Sequence, residues 1–265
     1  MKVSFCRNSR WGQSENLWDG LDLEKMLDRK RPYVIAFAGA GGKTSLIRRL
    51  AWEGIERGRK VLIVTTTHMF RPEACGVLSQ QAGDVAFLLE QKGLAVAGKA
   101  WGEEKIAYVG DGLYRQICPL ADLVLVEADG SRRLPAKVPG PGEPVIPENT
   151  DLILAVEGFS ALGQPAEDAC FRLGQACRVM EEYGRDDYRK SGRWILEPED
   201  LACLMSNGYL RPLRLSVPNA SVIPVFHQAD EENTRFLAQR LFWQMGEPEG
   251  IVSGQLKGDL SAGLF

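Results

Sequence analysis

The chain has 265 residues, 45% hydrophobic and 25% charged, with a formal net charge of -3. That length accommodates one α/β domain with a full core, and the slight acidity argues against a nucleic-acid partner. No run reaches the ~18 apolar residues that span a bilayer. The start MKVSFCRNSRWGQ lacks a signal-peptide core, and six scattered cysteines without a CxxC pair read as reduced thiols, so a cytoplasmic protein with no membrane partner is expected.

Residues 1–30 read as a weakly specified leader packed by Phe5, Trp11 and Trp18, ending in a short helix that carries Leu23, Met26 and Leu27. Pro32 breaks the chain before an apolar strand over 33–38. That strand runs into YVIAFAGAGGKT and then SLIRRLAWEGI, a glycine turn followed by an amphipathic helix over 44–57. Glycines allow a tight turn whose successive N–H groups face one concavity, and the helix N-terminus adds its own unpaired donors. Lys43 brings a full charge and Thr44 a hydroxyl suited to Mg²⁺, so Gly39, Ala40, Gly41, Gly42, Lys43, Thr44 and Ser45 form a candidate polyphosphate cradle. Phe37 stands where the full Walker A pattern has its first glycine, which predicts a variant loop.

A second strand, KVLIVTTTH, completes the start of a βαβ unit with a parallel sheet. Its end places Thr65, Thr66, Thr67 and His68 where open parallel sheets present ligands; alternation sets Thr66 opposite Thr65 and Thr67. Signals over 71–111 are thin: short strands over 85–89, 94–97 and 105–109, then a short helix over 112–117. The run DLVLVEADG follows, four apolar residues capped by Glu127, which is where a carboxylate can hold Mg²⁺; Asp129 is free for metal, water or substrate. The stretch GSRRLPAKVPGPGEPVIP over 130–147 combines Pro and Gly with Arg132, Arg133 and Lys137, a substrate or partner surface on the ligand edge.

Beyond it lie a buried strand from Asp151, a helix over 165–179 carrying Arg172, a polar turn over 183–193, and a helix from Glu197 with Pro198 in its first turn, ending near Asn207-Gly208. A last strand over 217–226 leads to HQAD, where Asp230 either reads a guanine base or caps the final helix over 231–244. That helix is expected to turn Phe236, Leu237, Leu241 and Met245 inward, before a tail with a possible strand IVS. The chain thus divides into a leader and short helix (1–30), a P-loop NTPase-like α/β core with a mostly parallel sheet flanked by helices (31–159), a small helical insert (160–215), and a last core strand, helix and tail (216–265).

GAGGKT, VTTTH, EADGSRRLPAK followed by EPVIP, and the late HQAD together resemble the YqeC family of selenium-dependent hydroxylase accessory proteins. The resemblance implies a P-loop NTPase-like protein associated with maturation of a selenium-dependent molybdenum hydroxylase or its cofactor. It implies phosphate binding by Gly39 to Thr44 and a working cleft lined by Thr65 to His68, Glu127, Asp129, Arg132, Arg133 and Lys137. Family members often carry Asn-Lys where this chain has His227 and Gln228, so the base, ATP or GTP, stays open.

The sequence reading is a Mg²⁺-dependent nucleoside triphosphatase. Lys43 neutralises the β/γ oxygens, Thr44 and Glu127 position the metal with Asp129 as a further ligand, and Asp129 or Thr66 aligns the attacking group. Thr67, His68, Arg132, Arg133 and Lys137 face substrate or partner, and Asp230 faces the nucleotide. A small-molecule kinase using the same cradle and a non-catalytic nucleotide-gated interaction module are the alternatives.

Overall fold

The computed structural model describes residues 2–185 and 193–255. In chain order the strands are β1 (Val3–Arg7), β2 (Arg10–Ser14), β3 (Tyr33–Gly39), β4 (Val61–Thr65), β5 (His68–Phe70), β6 (Gly76–Val77), β7 (Leu94–Ala97), β8 (Lys99–Trp101), β9 (Lys105–Ala107), β10 (Leu123–Glu127), β11 (Ala136–Lys137), β12 (Leu152–Gly158), β13 (Cys170–Phe171), β14 (Ser221–His227) and β15 (Gly250–Ser253). The helices are α1 (Leu17–Gly20), α2 (Leu23–Met26), α3 (Lys43–Ile55), α4 (Ala82–Lys92), α5 (Asp111–Ile117), α6 (Ala166–Ala169), α7 (Leu173–Glu182), α8 (Pro198–Cys203), α9 (Arg211–Ser216) and α10 (Glu232–Met245).

One sheet of ten strands, ordered β2-β1-β15-β14-β12-β3-β10-β4-β7-β6, organises these elements. Every pairing from β15 to β6 is parallel, and the two antiparallel pairings, β1 with β15 and β1 with β2, lie at one edge. The expected mostly parallel α/β sheet flanked by helices is therefore present. Both faces are covered, which is why β3, β4, β10 and β12 are buried along their whole length and read as unbroken apolar runs. Alternation still divides each strand between two cores. Tyr33, Ile35 and Phe37 pack with Trp18, Leu46 and Leu50 under α1 to α3. Val34, Ala36 and Ala38 pack with Val85, Leu89, Ile117, Tyr209 and Phe242 on the other face.

Several expected elements differ. The leader is the β1–β2 hairpin, which joins the sheet by pairing with β15. The run over 85–89 is helix α4: its buried residues, Val85 and Leu89, are four apart, and Gly93 ends it in a left-handed turn. The helix over 165–179 is split into α6 and α7 by β13, which pairs with β11. The helix from Glu197 does not stop near Asn207-Gly208; it continues through a π-helical segment, Leu204–Leu210, into α9. Phe236 on α10 is 70% exposed, while Leu241 and Phe242 face the core. Helices between 160 and 216 bury Leu201, Leu204, Met205 and Tyr209 in the same core as the strands, forming one cover of the sheet. Part of the polar turn over 183–193 lies outside the described residues. Among the described residues no helix is long and apolar enough to cross a membrane.

Candidate functional site

Five parallel strands end along one edge of the sheet, at Gly39, Thr65, Glu127, Gly158 and His227. Register holds them level: Glu127 lies opposite both Phe37 and Thr65, and Gly158 opposite His227. Open α/β sheets bind ligands beyond this edge. Here it borders a cleft of about 790 Å³, a size that holds small-molecule ligands.

The glycine turn forms the floor of the cleft. Phe37 is a core residue of β3, so the strand simply runs on to Gly39 and the turn is compressed into Ala40 to Gly42. Gly41 and Gly42 take φ of 71° and 123°. A Cβ on Gly41 would fall 2.2 Å from Gly158 N, and one on Gly42 2.1 Å from the His227 ring, so neither position admits a side chain. The first half of the turn is tied inward: Gly39 N–H donates to Asp129, Ala40 N–H to Val156 O at 2.8 Å, and Gly41 N–H to Leu134 O at 3.2 Å. The second half is open. Leu46 N–H is the first in-helix donor, to Gly42 O at 3.0 Å. The N–H groups of Gly42, Lys43, Thr44 and Ser45 precede it, and all four residues line the cleft. Those groups and the positive end of α3 favour an anion.

Beside them, Thr44 Oγ1 donates to Glu127 Oε2 at 3.0 Å. Burial pushes the Glu127 carboxyl upward, while Lys43 and the Thr44 hydroxyl pull the other way. Behind the floor lies an enclosed charge cluster. Asp129 is fully buried and accepts from Gly39 N–H at 3.0 and 3.1 Å, Lys43 at 3.1 Å, Lys137 at 2.8 Å and Tyr209 Oη at 3.0 Å. Lys43 also donates to Gly39 O. Lys137, equally buried, donates to Gly130 O at 2.7 Å and pairs with Glu143 at 2.8 Å; Glu143 in turn takes Arg172 at 2.6 Å. Burial, then the neighbouring Asp129, holds the Tyr209 hydroxyl well above the usual phenol range.

The expected site residues therefore fall into distinct groups. Gly41 to Ser45, Thr67, His68, Glu127, Arg132 and Arg133 come together on the cleft. Gly39 and Ala40 lie beneath it with their N–H groups occupied. Asp129 and Lys137 lie within the cluster and off the cleft surface. Thr66 faces away, as alternation predicts: its hydroxyl donates to Val145 O at 2.8 Å, and it borders a separate pocket of about 420 Å³ with Tyr108 and Tyr114. Asp230 neither lines the cleft nor caps α10, whose N-cap is Glu231; its Oδ1 accepts Gln255 N–H at 2.9 Å. His227 packs beneath Gly42 with Nδ1 2.8 Å from Ser253 Oγ, and burial lowers its pKa to about 4, against a raising influence from Asp230.

Sequence reasoning missed Tyr209, Glu143, Arg48, Lys105, Phe70, Phe171 and the cleft position of Arg172. None carries a signal that distinguishes it from ordinary helix or loop residues; Arg172 sits inside what reads as one helix over 165–179.

The YqeC protein family matches residues 35–174. The uncharacterized protein YqeC of Escherichia coli (strain K12) is 37% identical over 143 residues, which is 51% of this chain; the match spans about half of that relative, 55% of its length. A solved partition protein aligns over 89% of this chain and 68% of its own at 12% identity and a TM-score of 0.30, a likeness too distant to bear on fold or activity. The family match takes in the glycine turn, the end of β10 and the arginines at 132, 133 and 172, which is more than half of the chain, and the protein belongs to the YqeC family.

Proposed function

We propose that this protein binds a nucleoside triphosphate with Mg²⁺ in the cradle from Gly42 to Ser45 and hydrolyses it. The observation that carries this reading is the convergence of four open N–H groups, Lys43, Thr44 and Glu127 on one cleft at the ligand edge of a parallel sheet. The residues fit a magnesium site. A hydroxyl and a carboxylate oxygen already meet at 3.0 Å, and Mg²⁺ is commonly held by one or two such protein oxygens together with phosphates and water. When bound, the ion would neutralise charge on the β- and γ-phosphates.

Within that reading the chain's residues divide the work. Lys43 exchanges its bond to Gly39 O for the β/γ oxygens. Asp129 keeps Lys43 aimed, and Lys137 and Tyr209 keep Asp129 in place. Thr67, facing the cleft, takes the water-aligning role expected of Thr66. Water attacks the γ-phosphorus, the bond to the β–γ bridging oxygen breaks, and nucleoside diphosphate, phosphate and a proton leave. ATP and GTP are both candidates, since Asp230 is committed to Gln255. Support for a role in maturing a selenium-dependent molybdenum hydroxylase or its cofactor comes from the family resemblance alone.

The test is calorimetric titration with ATP and GTP, with and without Mg²⁺, in the wild type and Lys43→Ala, followed by phosphate release. The expected result is Mg²⁺-dependent binding weakened roughly 100-fold in the variant, the scale of about 3 kcal/mol for a lost charge-assisted contact. Absence of binding to either nucleotide overturns the reading. Tight binding with turnover at the level of Lys43→Ala leaves a nucleotide-gated module instead of a hydrolase.

A further inference from the structure

The cleft wall facing the cradle carries more positive charge than a nucleotide cradle accounts for. Arg132 lies 5.0 Å and Arg172 5.1 Å from the centre of the Phe171 ring, which places the two guanidinium carbons no more than about 10 Å apart. Arg133 and Lys105 share the Phe70 ring, at 4.6 and 5.7 Å. Like charges within a Debye length repel, and Glu143 offsets only Arg172 and Lys137. Among the described residues Arg132, Arg133 and Lys105 form no ion pair.

Strained backbone occurs at the same place. Arg132, Arg133 and Arg172 hold φ of 51°, 63° and 68°, and Gln228, also on the cleft, 64°. This left-handed conformation is costly for residues with a Cβ and persists where the surrounding structure imposes it, most often at ligand sites. Three elements, the loop after β10, the segment joining β13 to α7, and the β5–β9 pair, thus bring cations to one wall without counter-ions for most of them. The two phenyl rings that carry them add apolar surface.

We propose that this wall is a second anion subsite, which binds a phosphomonoester small molecule beside the nucleotide. Arg132 and Arg133 supply forked donors for a dianionic tetrahedral group, Arg172 and Lys105 add charge, and Phe70 and Phe171 flank the ligand's organic portion. The nucleotide reading supplies the neighbour in this arrangement; the subsite itself stands on the arginines.

Inorganic phosphate is the probe, titrated calorimetrically into four forms of the full chain: wild type, Lys43→Ala, the Arg132→Gln/Arg133→Gln double variant, and wild type saturated with Mg²⁺ and a non-hydrolysable nucleotide. The subsite predicts one phosphate bound in the nucleotide-saturated protein, the same site present within about threefold in the nucleotide-free wild type and in Lys43→Ala apart from any phosphate the cradle itself takes, and a loss of at least about tenfold at that site in the double variant. Binding that vanishes in Lys43→Ala and survives in the double variant places the phosphate in the cradle and overturns the proposal. Loss on nucleotide saturation overturns it too, since the arginines would then belong to the nucleotide's own phosphates. So does the absence of phosphate binding in the wild type. Should the double variant fail to fold, Arg132→Lys/Arg133→Lys keeps the charge, removes the forked geometry, and is expected to weaken phosphate in the same direction. If no nucleotide binds the wild type while phosphate follows the arginine pattern in Lys43→Ala, the nucleotide reading falls and the subsite stands.

Discussion

The two sides of the cleft handle charge in opposite ways. Behind the floor, Asp129, Lys137 and Tyr209 are sealed from solvent and tied to one another and to Lys43, which reaches the cleft from the floor. On the far wall, Arg132, Arg133 and Lys105 sit on aromatic rings and are paired with no described carboxylate. A charge buried among hydrogen-bonding partners holds geometry, because removing any one partner strands the rest in a medium that cannot solvate them. A charge left open on a wall shapes no fold and is available to a ligand. The same residue types thus do structural work on one side and recognition work on the other, and substitution should separate the two.

The sharpest separation is expected at Asp129. Asp129→Ala strands Lys43 and Lys137 near one another without a shared carboxylate, at a cost of about 3–5 kcal/mol, the scale for breaking a buried ion pair by removing one partner. Urea unfolding should show this loss, while Arg133→Gln on the far wall stays within about 0.5 kcal/mol of wild type. Comparable losses at both positions would erase the distinction.

Gly42→Ala ranks next and tests the floor itself. Its Cβ would meet the His227 ring at 2.1 Å from a backbone φ of 123°, so overpacking and strain combine to about 2–4 kcal/mol. Nucleotide binding should fall with it, because the N–H groups from Gly42 to Ser45 lose their common aim. A variant that binds ATP or GTP like the wild type would show that the turn is not the cradle.

How far the sequence reveals these two sides follows from how local each signal is. The glycine turn, Lys43, Thr44 and the acid after a four-residue apolar run are contiguous patterns with local physical causes, and the structure places Lys43, Thr44 and Glu127 together on the cleft. The arginine pair is visible in the loop after β10, but adjacency along the chain does not show that Lys137 points into the cluster and Arg172 onto the wall. Tyr209, 80 residues from Asp129, arrives there through a π-helical segment that no periodicity announces. The β1–β2 hairpin is not legible as part of the sheet because its strands are only five residues each and its place depends on β15 near the other end of the chain.

His227 gives a smaller, pH-dependent effect on the floor side. Its pKa falls from 6.5 to about 4 through burial, so the folded protein keeps the ring neutral while the unfolded chain takes up a proton. Stability from this group is full above pH 6.5 and is lost as pH falls toward about 4, by up to about 3 kcal/mol. His227→Gln should therefore gain on the wild type as the solution is acidified, read from urea midpoints across that interval. A constant difference would mean that the ring is protonated in the folded state.

The smallest effect, and the one of opposite sign, belongs to Glu157 on β12. Both of its oxygens are buried with no hydrogen-bond partner among the described residues, and burial holds its carboxyl well above the ordinary value of 4.5. Here the unfolded chain releases its proton first, so the folded state binds more protons and stability falls as pH rises above 4.5. Glu157→Gln removes that loss and should stabilise by about 1–2 kcal/mol at pH 7, the gain fading toward pH 4 as the wild-type carboxyl becomes neutral in both states. Because His227 and Glu157 slope in opposite directions between about pH 4.5 and 6.5, they partly cancel in the wild type. Each single variant should expose the other's slope, and a wild type as pH-dependent as either variant would show that one of the two groups titrates normally.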